Sequence, residues 1–187
     1  MSIAPAQRIY TEHDLERLTA RGLRYELIEG SLVPMSPAGG LHGSITGRLT
    51  TAFQAWIDDF DLGVYFVAET GFRLGTDPDT VLAPDWAFIA GARLPGPIPD
   101  AFVPVAPDLV LETRSPADSR TAVEAKVRRW LDAGVTIVLD LDPREQILLV
   151  HRPGERPLRL DRSGVLELPD LFPGLQVRLE RVFRQSR

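Results

Sequence analysis

The chain has 187 residues, a formal net charge of −5 and 44% hydrophobic residues, a balance typical of a globular protein. A chain of this length can bury a large core, so we expect one domain over residues 1–187. Because cysteine is absent, disulfides, thiolate zinc sites and a cysteine nucleophile are excluded.

The basic residues are unusual in kind, since Lys126 is the single lysine among 21 lysines and arginines. A composition bias explains the excess of arginine, but any chemistry that needs a lysine must use Lys126. The acidic net charge argues against a protein that coats nucleic acid non-specifically, although it allows a local basic patch. With no apolar run near 18 residues, we expect a cytoplasmic protein without a membrane segment.

The N-terminal part of the sequence predicts a helix, a hairpin and a second, longer helix. Thr11 is placed to cap the first helix. Alternating residues from Tyr25 to Met35, with a turn inside the segment, predict a hairpin. Apolar residues recur at helical spacing from Leu41 to Ile57, which predicts an amphipathic helix.

Strands dominate the middle of the chain, where three apolar runs are predicted as strands: Val64–Leu74, Val81–Ala90 and Asp108–Thr113. The proline- and glycine-rich segment 91–107 is predicted as a loop within the domain.

A further helix is predicted from Ser119 to Ala133, followed by the apolar, β-branched strand Val135–Leu141. This helix is long enough to connect two parallel strands. The order helix, three strands, helix, strand predicts an α/β fold with a central mixed sheet flanked by helices. An N-terminal helix and hairpin and C-terminal strands are expected as additions to this core.

Two acidic residues stand at the ends of predicted strands, and Lys126 lies on the helix that follows. Asp85 comes after Pro84 at the start of one strand, and Glu112 ends another. Carboxylates at the ends of adjacent strands can share a divalent cation, and oxygen ligands suit Mg²⁺ or Mn²⁺. Two acids and an ammonium group suit phosphodiester hydrolysis. The alternative is that the acids form turns and caps, while Lys126 is solvated.

The other polar residues are weaker candidates than this set. Asp108 is four residues from Glu112, about 13 Å along a strand, so it is predicted to cap the strand start instead. His42 is either a helix-terminus residue or a general base. Glu26 is either an ion-paired strand residue or a further acid of the site. The sequence contains no HExxH, GxSxG or GxGxxG motif and no phosphate-binding GxxxxGK[ST] loop.

Several short segments occur together in one order: Tyr25–Gly30, Met35–Pro37 with His42, Pro84-Asp85, Pro107–Glu112 running into Ser115-Pro116, Lys126, Gly134-Val135 and Asp142-Pro143. On these segments, the sequence resembles the Uma family of small endonucleases in the PD-(D/E)XK, or restriction-endonuclease-like, superfamily. The resemblance covers a core of about residues 24–151 and implies the αβββαβ order described above.

The resemblance implies that Asp85 and Glu112 are ligands of Mg²⁺ (or Mn²⁺) and that Lys126 completes the catalytic set. The superfamily pattern places a lysine two residues after the second acid, where this sequence has Arg114. In this family, the lysine is instead expected from the following helix. Glu26, His42 and Arg114 are further candidates for the site.

The function implied by the resemblance is a metal-dependent endonuclease that acts on nucleic acid, with DNA as the expected substrate. Nucleases of this fold often act as dimers, so a homodimer is one expected assembly. Because Arg114 replaces the usual lysine and the chain is acidic, a non-catalytic interaction or binding module is the main alternative. A phosphodiesterase acting on a small nucleotide is a third hypothesis.

Overall fold

The computed structural model describes residues 8–94 and 96–184. Its helices are α1 (Glu12–Thr19), α2 (Gly40–Phe60), α3 (Arg120–Asp132) and α4 (Leu179–Val182), with a short 3₁₀ helix over Gly91–Arg93. Its strands are β1 (Tyr25–Ile28), β2 (Ser31–Pro34), β3 (Gly63–Val67), β4 (Phe72–Gly75), β5 (Thr80–Leu82), β6 (Trp86–Ala90), β7 (Leu109–Thr113), β8 (Ile137–Asp142), β9 (Ile147–His151), β10 (Leu158–Asp161), β11 (Val165–Leu166) and β12 (Val177–Arg178).

The central sheet has six strands in the order β10-β9-β8-β7-β6-β3. β7 and β8 are parallel and are connected by α3, whereas the other neighbouring pairs are antiparallel. The succession α2, β3, β6, β7, α3, β8 follows the predicted order of helix, three strands, helix and strand. The predicted α/β fold with a central mixed sheet and a crossover helix is confirmed.

Two predicted strands are each divided into two, which corrects the sequence interpretation. Val64–Leu74 splits at a turn where Glu69 has a positive φ of 74°, and Val81–Ala90 splits before β6 at Pro84, which has no N–H to donate to a ladder. β4 is the second half of the first run, and β5 is the first half of the second run. Neither strand belongs to the central sheet. They form a second sheet in the order β2-β1-β5-β4, which includes the predicted hairpin.

Apolar side chains from both faces of the central sheet form the core. On one face, the buried stripe of α2, including Leu49 and Phe53, packs against Leu109 and Leu111 of β7. The other face packs against α3, where Trp130 is fully buried. Burying each large apolar side chain contributes about 1.5–3 kcal/mol, so these two layers fix α2 and α3 on opposite faces of the sheet.

The helix starts follow the local sequence. The Thr11 side chain accepts a hydrogen bond from the Asp14 N–H at the start of α1, and the Asp14 carboxylate accepts one from the Thr11 N–H, as in a capping box. The Ser119 hydroxyl accepts a hydrogen bond from the Ala122 N–H and thereby caps α3. Among the described residues, no helix is both long enough and apolar enough to cross a membrane.

The described residues of the segment, 91–94 and 96–107, form a loop, as predicted, apart from the short 3₁₀ helix at its start and a single β-bridge between Val103 and Phe72. Asp108 fixes this start, because its carboxylate accepts hydrogen bonds from the Ala90 N–H at 2.8 Å and from Arg93 at 2.7 Å. Asp108 therefore has a structural part in holding the loop against β7, away from the acids at the other end of that strand.

Candidate active site

Asp85 lies where β6 begins and β7 ends. β6 and β7 are antiparallel and pair Trp86 with Leu111, so Asp85 stands beside the position of Glu112. The Asp85 N–H donates to the Leu111 carbonyl at 3.1 Å. The Thr113 N–H donates to Oδ2 of Asp85 at 2.7 Å. These bonds fix the carboxylate of Asp85 at the end of the strand that carries Glu112.

Lys126 reaches from α3 to the acids at this edge of the sheet. Its Nζ lies 3.0 Å from Oε1 of Glu112 and 3.0 Å from Oε1 of Glu26 on β1. The Ala83 N–H also donates to Oε1 of Glu26 at 3.0 Å. The lysine side chain is only 27% exposed, so α3, β1 and β7 meet around one partly buried ammonium group.

Trp130, a core residue of α3, is also a neighbour of the site and was not among the candidates from the sequence. It follows Lys126 by one turn of α3, and its Nε1–H donates to Oε1 of Glu112 at 2.7 Å. Residues four apart lie on the same helix face, so both side chains reach the same carboxylate. The sequence carries one indication of such a contact, because a buried tryptophan N–H usually needs a hydrogen-bond acceptor.

The acids and the lysine change one another's protonation. Burial raises the pKa of Glu112 to about 7, and the nearby carboxylates of Asp85 and Glu26 act in the same direction, although Lys126 opposes them. Burial alone would lower the pKa of Lys126, but Glu112 and Glu26 together raise it above its ordinary value. Lys126 is therefore an ammonium ion near neutral pH, while Glu112 exchanges a proton in that range.

His42 lies in the first turn of α2 and contacts Asp85. Its Nε2 is 3.2 Å from Oδ2 of Asp85, and the hydrogen bond to that carboxylate raises the pKa of His42. The Nδ1 atom is buried without a hydrogen-bond partner among the described residues. His42 is thus both a helix-terminus residue and a neighbour of the candidate site. Similarly, Glu26 is an ion-paired strand residue whose partner is Lys126.

These contacts place Asp85, Glu112, Lys126, Glu26 and His42 at one edge of the central sheet. The family model of Uma2, described as "Putative restriction endonuclease", matches residues 12–180. The chain belongs to the Uma2 family. This assignment confirms the resemblance found in the sequence and supports a nuclease.

Solved structures resemble this member of the Uma2 family to different degrees. The crystal structure of a protein of Anabaena variabilis ATCC 29413, described as a "putative nuclease belonging to DUF820", matches with a TM-score of 0.80 and 24% identity, over 92% of this chain and 97% of that chain. This likeness shows the shared fold. The cryo-EM structure of a DrdV–DNA complex matches with a TM-score of 0.36 and 13% identity, over 79% of this chain and 98% of that chain. No curated protein sequence matches the chain.

Arg114 occupies the usual lysine position of the superfamily pattern, but its side chain contacts a different pair of acids. Its Nε and Nη2 donate to the two oxygens of Asp140 at 2.7 and 2.6 Å, and its Nη1 donates to Asp142 at 3.3 Å. The hydrogen bond to Asp140 is the main reason that the pKa of Arg114 is raised. Arg114 also lines a cleft of about 530 Å³ that is lined by none of Asp85, Glu112 and Lys126.

The two carboxylates of this Uma2 site retain oxygen atoms for a cation. The contacts of Asp85 involve Oδ2, and those of Glu112 involve Oε1, which leaves Oδ1 and Oε2 without a protein partner in the described part of the chain. The side chains are 22% and 14% exposed. Within residues 8–94 and 96–184, no cluster of three or more His, Cys, Asp or Glu side chains could hold a metal. A two-carboxylate donor set fits Mg²⁺, which keeps several waters and uses substrate phosphates as further ligands.

Proposed function

We propose that this Uma2-family chain is a Mg²⁺-dependent endonuclease that hydrolyses phosphodiester bonds of nucleic acid, with DNA as its substrate. The observation that carries the proposal is the contact of Lys126 with Glu112 beside Asp85. An ammonium group and two carboxylates with free oxygens are the groups that such hydrolysis needs at one place. Mn²⁺ has the same preference for oxygen ligands and is expected to replace Mg²⁺.

Asp85 and Glu112 would hold the cation through their unpaired oxygens. When bound, a divalent cation supplies Lewis acidity and lowers the pKa of coordinated water. The hydrogen bonds from Thr113 and His42 occupy Oδ2 of Asp85 and leave Oδ1 free for this purpose. His42 therefore acts as a positioning residue in the proposal.

Lys126 would act through its charge. Because the pKa of Lys126 is raised, it keeps its protons near neutral pH and is unsuited to remove a proton from water. An ammonium group can instead orient the attacking water or stabilise the negative charge that develops on the phosphate oxygens. Glu26 shares the ammonium group at 3.0 Å and so holds it beside Glu112.

The alternative of a non-catalytic module depends on the replacement of the usual lysine by Arg114. The contacts of Lys126 support the enzyme instead, because they supply an ammonium group at Glu112 from α3. In the module hypothesis, the three neighbouring carboxylates of Asp85, Glu112 and Glu26 have no function, although burial and the charges of Asp85 and Glu26 raise the pKa of Glu112.

The test is cleavage of supercoiled plasmid and of a single-stranded oligonucleotide with Mg²⁺ or Mn²⁺. The wild type is expected to nick DNA, whereas Asp85→Ala and Lys126→Ala are expected to lose activity. Asp100→Ala is the matched control, because Asp100 is an exposed acid of the 91–107 loop and is not one of the site residues. Activity that survives both site substitutions contradicts the mechanism, and a wild type that is inactive with both ions favours the module.

Two product patterns refine the proposal. Direct conversion of plasmid to the linear form would indicate two sites acting together, as in the expected homodimer. Hydrolysis of bis(p-nitrophenyl) phosphate by a protein that leaves plasmid and oligonucleotide intact would favour the small-nucleotide phosphodiesterase over the nuclease.

A further inference from the structure

A groove of about 810 Å³ lies between α2 and the C-terminal elements β12 and α4. Four arginines line it: Arg48 from α2, and Arg178, Arg181 and Arg184 from the C-terminal segment. None of the described residues that line the groove is acidic. The three C-terminal arginines lie on β12, on α4 and directly after α4, and all three are exposed, so they form a row of positive charge on the C-terminal side of the groove.

Few carboxylates neutralise this row. Oε1 of Glu180 lies 3.9 Å from Nη1 of Arg178, at the limit of an ion pair, and both side chains are more than half exposed. No ion pair of Arg181 or Arg184 occurs among the described residues. By contrast, the acids near Arg114 occupy its guanidinium with three hydrogen bonds. The groove is thus a local basic surface on a protein whose net charge is −5.

The structure keeps the groove in a defined shape. A guanidinium nitrogen of Arg48 donates to the carbonyl oxygen of Arg184, which ties the C-terminal segment to α2. Val182, next in the chain to Arg181, is buried in the main core. The backbone that carries Arg178, Arg181 and Arg184 is therefore anchored, while the side chains of these three residues are exposed to a ligand.

α2 connects the groove with the candidate active site. His42, which contacts Asp85, precedes Arg48 by six residues on this helix, or about 9 Å along its axis. One strand of duplex DNA carries a phosphate about every 3.4 Å of helix axis, so this distance corresponds to roughly three nucleotides. Six residues also turn the helix by about 600°, so the two side chains point roughly 120° apart, and a strand that reaches Asp85 must follow the surface of α2 to place further phosphates at the groove.

We propose that this groove binds the phosphate backbone of the nucleic acid a few nucleotides from the bond that is cleaved. The inference rests on the proposed function for the identity of the ligand. Guanidinium groups pair with phosphate oxygens through two parallel hydrogen bonds, which favours arginine at such contacts. Because the overall charge of the chain is acidic, most of its affinity for nucleic acid must come from local surfaces of this kind.

The experiment measures binding without cleavage. Fluorescence anisotropy in EDTA follows the wild type with fluorescein-labelled 24-base-pair and 24-nucleotide DNA between 50 and 200 mM NaCl. The groove variant combines Arg178→Gln, Arg181→Gln and Arg184→Gln. The matched control combines Arg21→Gln, Arg144→Gln and Arg156→Gln, which removes the same charge from exposed arginines elsewhere. The groove variant keeps the Arg184 carbonyl oxygen that Arg48 contacts.

The groove variant is expected to bind DNA at least about tenfold more weakly at 100 mM NaCl, and the control less than about threefold more weakly. Each lost phosphate contact reduces the slope of log K against log salt by about 0.9 for duplex DNA, so a reduction of roughly 2–3 is expected. Equal affinities and slopes for the two triple variants overturn the proposal, and so does a wild type that does not bind DNA.

Poly-glutamate serves as a probe for an acidic protein partner. Binding of poly-glutamate that depends on the groove arginines, together with equal DNA affinities of the two variants, overturns the proposal in favour of such a partner. Failure of the proposed function would be seen in a different experiment, as a wild type that does not cleave DNA with Mg²⁺. The groove is tested by binding in EDTA, where no cleavage is expected.

Discussion

Nζ of Lys126 lies 3.0 Å from Oε1 of Glu112, although the lysine is on a helix and the acid is on a strand. In the superfamily pattern, the lysine follows this acid by two residues along the same strand, and that position holds Arg114 here. The guanidinium group of Arg114 contacts Asp140 and Asp142. The ammonium group at this site therefore comes from a different element, and α3 supplies it from one face of the sheet.

Lys126→Arg is expected to reduce DNA nicking at least about 100-fold while the fold is retained. A planar guanidinium cannot reproduce the compact point charge between Glu26 and Glu112, although it preserves the positive charge that these acids need. The free energy of unfolding is expected to change by no more than about 1–2 kcal/mol. Nicking assays and urea denaturation measure the two effects. Arg129→Lys, an exposed exchange on the same helix, is the control, and wild-type nicking by Lys126→Arg would contradict the assigned role.

Glu112→Gln is expected to alter the pH dependence of stability measured in EDTA. The pKa of Glu112 is about 7 in the fold, against an ordinary value of 4.5, so the folded state binds this proton more tightly. The resulting contribution to stability is complete below about pH 4.5 and is lost as the pH rises to about 7. Glutamine resembles the protonated acid and does not titrate.

The unfolding free energy of Glu112→Gln relative to the wild type should therefore rise between pH 4.5 and pH 8. One pKa unit corresponds to about 1.4 kcal/mol, so the rise is at most about 3 kcal/mol. Denaturation with urea at a series of pH values measures it. Glu155→Gln, which changes an exposed acid, should show no comparable trend. A constant difference between Glu112→Gln and the wild type would argue against the raised pKa.

Trp130→Phe is expected to destabilise the protein more at pH 8 than at pH 5. The substitution keeps most of the buried ring but removes the 2.7 Å hydrogen bond to Glu112. A hydrogen bond to a charged group contributes about 1.5–3 kcal/mol, and Glu112 is charged mainly at the higher pH. Trp56→Phe provides the control, since Trp56 is partly buried against the core on the other face of the sheet from Trp130. Equal losses at both pH values would show that packing alone explains the effect.

Much of the fold and part of the site follow from local sequence patterns. The stripes of α2 and α3 and the capping residue Thr11 are local signals, and the structure agrees with each. The division of the predicted strands was not apparent, because the apolar run before Pro84 continues after it with the same character. The sheet that each half of a predicted strand joins depends on the pairing of β5 with β1, which is a contact between segments far apart in sequence.

The partners of the site residues were harder to predict than the residues themselves. The place of Lys126 on the helix after Glu112 is a local feature of the sequence, but Glu26 as its second acid depends on the packing of β1 beside β5. Similarly, the contact of Arg114 with Asp140 depends on the parallel register that pairs β7 with β8. Such contacts between distant segments leave no periodic signal in a single sequence.

Arg114→Lys is expected to weaken the fold without affecting the proposed chemistry. A lysine cannot form the two parallel hydrogen bonds to Asp140, so the unfolding free energy should fall by about 2 kcal/mol. The nicking rate should stay within about threefold of wild type, because Arg114 contacts neither Asp85 nor Glu112. The double variant Arg114→Lys with Lys126→Met should remain inactive in the same assay. Recovered nicking in the double variant would mean that the ordinary superfamily position can still serve this site.

The most direct test of the central claim is anomalous X-ray diffraction from crystals soaked in Mn²⁺. The claim is that Asp85 and Glu112 hold one cation beside the ammonium group of Lys126. The expected result is one strong Mn²⁺ peak that lies within about 2.3 Å of one carboxylate oxygen of Asp85 and of one carboxylate oxygen of Glu112. Lys126 is expected to stay in contact with Glu112. A peak at other residues only, or no peak at a Mn²⁺ concentration that supports cleavage, would contradict the account.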